Sequence, residues 1–222
     1  MPDGRPVGRR PARAQRTGVR LHDVSAPLGP GTEPWPGDTP FELASTARIA
    51  DGASCNVSAL RTSPHNGTHA DAPLHVEEGG EPVDELPLEP FIGPAVVLDR
   101  ERALSLEGGE LARAVPEGHR VLLRSGRDDF RRFPERVPGL PVSWIDQLAD
   151  RAVPLLGVDL PSVDERDSRD LPVHRACLRH GIQILENLDL AAVDPGPYRL
   201  FAPPLRLEGA DASPVRAVLV EP

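Results

Sequence analysis

Four short apolar runs set the frame of this chain: "PAVVLD" (94–99), "RVLLRS" (120–125), "VPLLGVDL" (153–160) and "IQILEN" (182–187). The first two are nearly continuous rather than alternating, which is the pattern of central strands buried on both faces. Helical patterns precede the last two. "SWIDQLADRA" (143–152) reads as a helix with Ser143 as its N-cap, and "DLPVHRACLRHG" (170–181) as one with Pro172 near its start and Gly181 as its stop. Upstream, Leu21–Ser25 reads as a short strand, and "PLGPGTEPWPGDTP" (27–40) is too rich in Pro and Gly for anything but an ordered loop. Phe41–Ile49 and Ser54–Thr62 alternate around Asp51-Gly52, a hairpin signal. "YRLFAP" and "VRAVLVE" close the chain as strands. With no repeat and no linker between residues 20 and 222, the reading is one mixed α/β domain over 21–222, with more strand than helix.

Residues 1–20 stand apart. They carry six Arg against a single acid, Asp3, a charge of +5, so the rest of the chain carries −9 − 5 = −14. Such a Pro/Gly/Arg-rich leader has too little apolar surface to fold and is expected to be a disordered tail. The acidic body repels phosphate, so no nucleic-acid partner is expected. No apolar run reaches the ~18 residues that span a bilayer, and the N-terminus has no apolar signal region, so no membrane partner is expected either. Cys55 and Cys177 make no disulfide framework and no CxxC pair, which suits a reducing, cytoplasmic setting. All 25 basic residues are Arg. Without lysine there is no Schiff-base chemistry and no Walker-type phosphate lysine. No GxSxG occurs, which leaves a serine hydrolase unsupported.

Three of the seven histidines fall in "HNGTHADAPLH", residues 65–75. Pro64, Gly67 and Pro73 prevent a regular helix there. An extended backbone from His69 onward puts His69, Asp71 and His75 on one side, because alternate side chains share a face. His65 folds back across the Gly67 turn. A single loop histidine usually faces water, but three with an aspartate at this spacing read as a metal or catalytic site. Imidazole nitrogen and carboxylate oxygen suit Zn²⁺, Mn²⁺ or Fe²⁺, and Asp71 can bridge two ions. Glu186 ends an apolar strand, where it either pairs or binds metal or else points to solvent. His174 lies in the first turn of its helix, while His180 reads as a surface group at the helix C-terminus. His22 and His119 are given no role. Trp35, on a Pro/Gly loop, either staples that loop or contacts a ligand.

The stretch "SPHNGTHADAPLH" resembles the signature of the cyclase-like metal hydrolases. Within them the chain is similar to the bacterial kynurenine formamidases (arylformamidases), with "PWPGDTPF", "VLLR", "GVDLPSVD", "LPVHR", "ILENL" and "ASPVRAVL" matching in order. The resemblance implies a swivelling β/β/α fold, a homodimer and two zinc ions per chain, with Mn²⁺ as the alternative metal. It implies His65, His69, Asp71, His174 and Glu186 as ligands, both carboxylates bridging. It further implies His75 as the acid/base residue and Trp35 against the aromatic ring of a small-molecule substrate. The implied reaction is hydrolysis of N-formyl-L-kynurenine to L-kynurenine and formate, in tryptophan degradation. That reaction needs an activated water, a polarised formyl oxygen and a proton for the leaving arylamine, which two metals and one histidine supply. The alternatives are another amide or lactam hydrolase of the superfamily, such as an isatin-hydrolase-like enzyme, and a non-catalytic metal-binding protein. Leu160, where the family usually has a small hydroxyl residue, and Pro203, in place of an aliphatic, are departures expected to alter the pocket if they line it. The N-terminal tail has no family counterpart.

Overall fold

The parallel heart of the molecule is β5 (Ile92–Asp99), β6 (Arg120–Arg124), β7 (Leu155–Val158) and β8 (Gln183–Glu186), paired in that order. The structure, a computed structural model, describes residues 18–222, so the tail reading lies outside it up to residue 17. These four strands coincide with the four apolar runs, and their side chains alternate between two cores as a two-residue period demands. Val96, Val121, Leu123, Leu156, Val158 and Ile184 face one cluster. Ala95, Val97, Leu122, Leu155 and Leu185 face the other.

Helices cover the first face. α1 (Arg100–Leu104) and α2 (Gly108–Ala114) join β5 to β6, α3 (Val142–Ala149) joins β6 to β7, and α4 (Pro172–His180) joins β7 to β8. Trp144, Ile145 and Leu148 of α3 and Val173, Ala176 and Cys177 of α4 pack into that core. Ser143 is not the N-cap of α3. Pro141 holds that position, and no side chain bonds the first turn. α4 begins and ends as its sequence indicates, with Gly181 in the left-handed conformation at φ 67°.

Antiparallel strands flank the parallel four. On one side come β9 (Gly196–Phe201), β11 (Val218–Val220) and β1 (Leu21–Asp23); on the other, β4 (His69–Asp71) and β10 (Ala212–Pro214). The nine-stranded sheet curls around the second core, which gathers Leu219 and Leu200 from one flank and Ala70 from the other. Residues just after β1 tie the β11 flank to the segment that follows β8, since the Val24 amide donates to Ala217 O and the Asp189 amide to Val24 O. The expected hairpin forms as a separate two-stranded ribbon, β2 (Glu42–Ala47) with β3 (Val57–Arg61). Its strands are shorter than their alternation suggests because Arg48–Asn56 folds into a loop, with the Asn56 side chain accepting from the Ile49 amide.

Candidate metal centre

β4 lies antiparallel to β8 in a register that places His69 opposite Glu186 and Ala70 opposite Leu185. Directly opposed residues share a face, so Ala70 and Leu185 enter the apolar core while His69 and Glu186 emerge together on the helix side. Asp71, two residues along β4, joins them. His174 arrives from the first turn of α4. The cluster therefore sits outside the carboxyl ends of β7 and β8, where open α/β sheets place their ligands.

Distances within the cluster are short. His69 Nε2 lies 3.4 Å from Asp71 Oδ1 and 3.4 Å from Glu186 Oε2. His174 Nε2 lies 3.5 Å from Asp71 Oδ2 and 3.4 Å from Glu186 Oε1. His65 reaches in across Gly67, whose φ of 70° makes the turn, and puts Nδ1 3.1 Å from Asp71 Oδ1. Glu186 thus faces His69 and His174 through different oxygens, while Asp71 faces His65 and His69 with Oδ1 and His174 with Oδ2. His69, Asp71, His174 and Glu186 are all buried, and the expected ligands are all brought together.

Each of the three histidines has one nitrogen engaged outside the cluster and the other turned inward. His69 Nδ1 is 2.9 Å from Gly67 O, His174 Nδ1 is 2.7 Å from Asp164 Oδ2, and His65 Nε2 is 3.0 Å from Asp211 Oδ2. An outer partner that fixes the tautomer while the inner nitrogen stays free is the arrangement of metal-ligating histidine. Asp164 and Asp211 are the functional neighbours that the sequence reading missed. Asp164 also caps α4, accepting from the Val173 and His174 amides.

The electrostatics ask for positive charge. Burial opposes protonation of His65, yet Asp211 and Asp71 outweigh it and raise its pKa to about 9. Burial likewise disfavours a charged His69, and Asp71 with Glu186 lifts it to about 10. His174 is raised against its burial by Asp164, Asp71 and Glu186. Asp71 is held well below the usual carboxylate range: burial works against this, and His69, His174 and His65 prevail. Both Asp71 oxygens and His69 Nε2 are buried without a hydrogen-bond partner among the described residues. Buried polar atoms of this kind call for an unseen partner. Divalent cations among these donors would satisfy the orphaned atoms and replace the protons on the imidazoles, so the residues fit a metal.

His75 reaches the site by a different route from the one expected. The chain leaves the extended conformation at Pro73 and makes a 3-10 turn, Pro73–His75. That turn sets the His75 ring 4.2 Å from the His65 ring, with Nδ1 3.7 Å from Asp211 Oδ2. Burial lowers its pKa, the opposite direction from His65, His69 and His174. It is partly exposed to a cavity of about 480 Å³ that reaches the cluster at His65, His75, His174 and Glu186. Trp35, Phe130 and Phe133 also line this cavity, and Trp35 meets Phe133 edge-on at 5.1 Å. Trp35 therefore packs on Phe133 and also faces the cavity.

A family model described as "Putative cyclase" matches residues 22–165. The chain belongs to the cyclase family. It is 46% identical to the kynurenine formamidase of Salinibacter ruber over 208 residues, covering 90% of this chain and 97% of that one. It is 41% identical to the kynurenine formamidase of Bacillus cereus, covering 89% and 95%. Among solved structures, a potential metal-dependent hydrolase with cyclase activity superposes with a TM-score of 0.75 at 28% identity, over 92% of this chain and all of that one. Isatin hydrolase A from Ralstonia solanacearum superposes with a TM-score of 0.74 at 25% identity, over 92% of each. Within this cyclase-family chain the two departures do not reach the cavity. Leu160 is buried in the core beneath the helices, and Pro203 is exposed elsewhere. His180 pairs with Asp146 of α3 at 2.8 Å, and His22 with Glu221 at 2.9 Å, both away from the cluster.

Proposed function

We propose that the protein is a kynurenine formamidase, hydrolysing the formamide of N-formyl-L-kynurenine to L-kynurenine and formate. The observation that carries this reading is the 46% and 41% identity to two proteins of that name, spread along nearly the whole of each. Two zinc ions are proposed, because the inward-facing atoms form two overlapping donor groups: His65, His69 and Asp71, and Asp71, His174 and Glu186. Asp71 is common to both, and Glu186 faces His69 with one oxygen and His174 with the other. Imidazole with carboxylate also suits Mn²⁺. When bound, such ions supply the Lewis acidity that lowers the pKa of a water and polarises a carbonyl.

The chain's own residues do the rest. The cavity admits an aryl formamide, and Trp35 and Phe133 offer the ring an edge-and-face aromatic wall. A water oxygen bonds to the formyl carbon, the C–N bond breaks, and one water proton passes to the arylamine nitrogen. His75 carries that proton. Its lowered pKa keeps it a neutral base at pH 7, and Asp211 close to Nδ1 supports the imidazolium that forms in transit.

The catalytic unit is proposed to be residues 21–222, acting as a cytoplasmic homodimer. Support for the dimer comes from the β2–β3 ribbon, where the paired Leu43 and Leu60, with Ile49 and Val57, expose apolar surface. The two thiols are unpaired, as in a reducing compartment. A second reading, an isatin-hydrolase-like lactam hydrolase, draws on the structural likeness to isatin hydrolase A. Purified enzyme offered N-formylkynurenine and isatin separately decides between them. Formate release with inert isatin supports the formamidase; isatin ring opening with inert formylkynurenine overturns it. Turnover of neither by metal-loaded protein supports a non-catalytic metal-binding role.

A further inference from the structure

Two guanidinium groups line the cavity, Arg127 and Arg166, and they are not equivalent. Arg127 is committed to the fold. Its Nε donates to Asp129 O, its Nη1 to Asp159 O and Asn187 Oδ1, and its Nη2 to Arg132 O. Four of its five N–H groups are thereby taken. Arg166 is the reverse: among the described residues its side chain has neither a hydrogen bond nor an ion pair. Its guanidinium instead stands 5.3 Å over the face of Phe133, within cation–π range. Phe133 is itself fixed, with its amide donating to Glu33 Oε2 and its ring meeting Trp35. The backbone beneath Arg166 is tied down too, by its amide to Val137 O. The result is an oriented, unpaired cation at the aromatic part of the cavity lining.

We propose that Arg166 binds the carboxylate of the substrate's amino-acid side chain and so selects amino-acid-bearing aryl formamides over simple ones. This rests on the formamidase reading. A planar guanidinium presents a fork of donors matched to a carboxylate. Stacking on Phe133 holds that fork beside the aromatic wall on which the substrate ring is placed, so one substrate spans both contacts. Two carboxylates on the Trp35 loop, Glu33 and Asp38, also line the cavity and give the neighbouring ammonium group an acceptor of the right sign. A carboxylate contact that is equally strong in the ground state and the transition state acts on KM and leaves kcat unchanged.

The test is a substrate comparison on zinc-loaded wild type, Arg166→Gln and Arg166→Lys, using N-formylkynurenine and 2-formamidoacetophenone, which keeps the aryl ketone and formamide but lacks the amino-acid group. Arg166→Gln is expected to raise KM for N-formylkynurenine roughly tenfold to hundredfold, the usual effect of losing a charged hydrogen-bond partner, with kcat nearly unchanged. Turnover of the acetophenone should be the same in all three proteins, and Arg166→Lys should recover part of the lost affinity. Equal losses on both substrates would mark Arg166 as merely structural, and an unchanged KM for N-formylkynurenine would mark it as unused; either overturns the inference while leaving the formamidase reading intact. Failure of wild type to hydrolyse either substrate overturns that reading and this inference together.

Discussion

Asp71 is enclosed among three imidazoles, and among the described residues neither of its oxygens has a hydrogen-bond partner. Asp71→Asn is therefore expected to lose metal and turnover together. His75→Asn should keep the metal and lose about 10²–10⁴-fold in kcat, or roughly 3–5 kcal/mol of barrier. Elemental analysis and kcat on the same preparations separate the two roles. Metal lost from the His75 variant would make that residue a ligand, and full activity would make it irrelevant. Asp164 acts one step further out, holding His174 by ring and backbone. Asp164→Asn is expected to weaken metal affinity about 10–100-fold in competition with a chelator, and an unchanged affinity would contradict the assignment. His65, His69 and Asp71 could be read from the sequence because seven residues contain them and one strand aligns the last two. Asp164 and Asp211 could not, because their partners lie 10 and 146 residues away and only the folded sheet joins them.

The element that decides the catalytic proposal is the 3-10 turn Pro73–His75. Proline at its first position fixes φ near −65°, which ends the extended conformation that would have carried His75 along β4. The Val76 amide closes the turn on Pro73 O, and the Leu74 amide reaches across to Glu81 O. Gly80 packs against it so closely that an added Cβ would lie 2.7 Å from the Pro73 carbonyl carbon and 2.8 Å from the Leu74 nitrogen. Backbone atoms cannot yield as a side-chain tip can. Gly80→Ala should thus displace His75 and lower kcat by roughly tenfold to hundredfold while the metal stays bound, measured as rate and metal content together. Undiminished kcat would show that the turn's position is not critical. Short, nearly continuous apolar runs announced β5 to β8, and the helix α4 was legible from Pro172 and Gly181. Helices α1 and α2 were not, since five and seven residues hold too little periodicity to register. Strand β10 was hidden for a similar reason, being three residues whose pairing with β4 alone makes them a strand.

Across the whole molecule, the sheet supplies rigidity and the loops around it supply the cavity. The parallel strands hold β4, β8 and the start of α4 in one register, so donors from three elements converge without any of them being adjacent in sequence. The elements and donors of that arrangement all lie within residues 21–222. A chain lacking residues 1–17 is expected to sediment as a dimer at micromolar concentration with kcat/KM within about twofold of the full chain; a monomer, or a tenfold fall, would contradict the assignment of 21–222 as the working unit. The central claim is that a buried pair of metal ions drives formamide hydrolysis. It is tested most directly by stripping the protein with a chelator, restoring zinc stepwise, and following formate release from N-formylkynurenine against metal bound per chain. The account predicts a rate that rises with metal and levels off at about two ions per chain. Full turnover by the stripped protein, or a plateau at one ion, would contradict it.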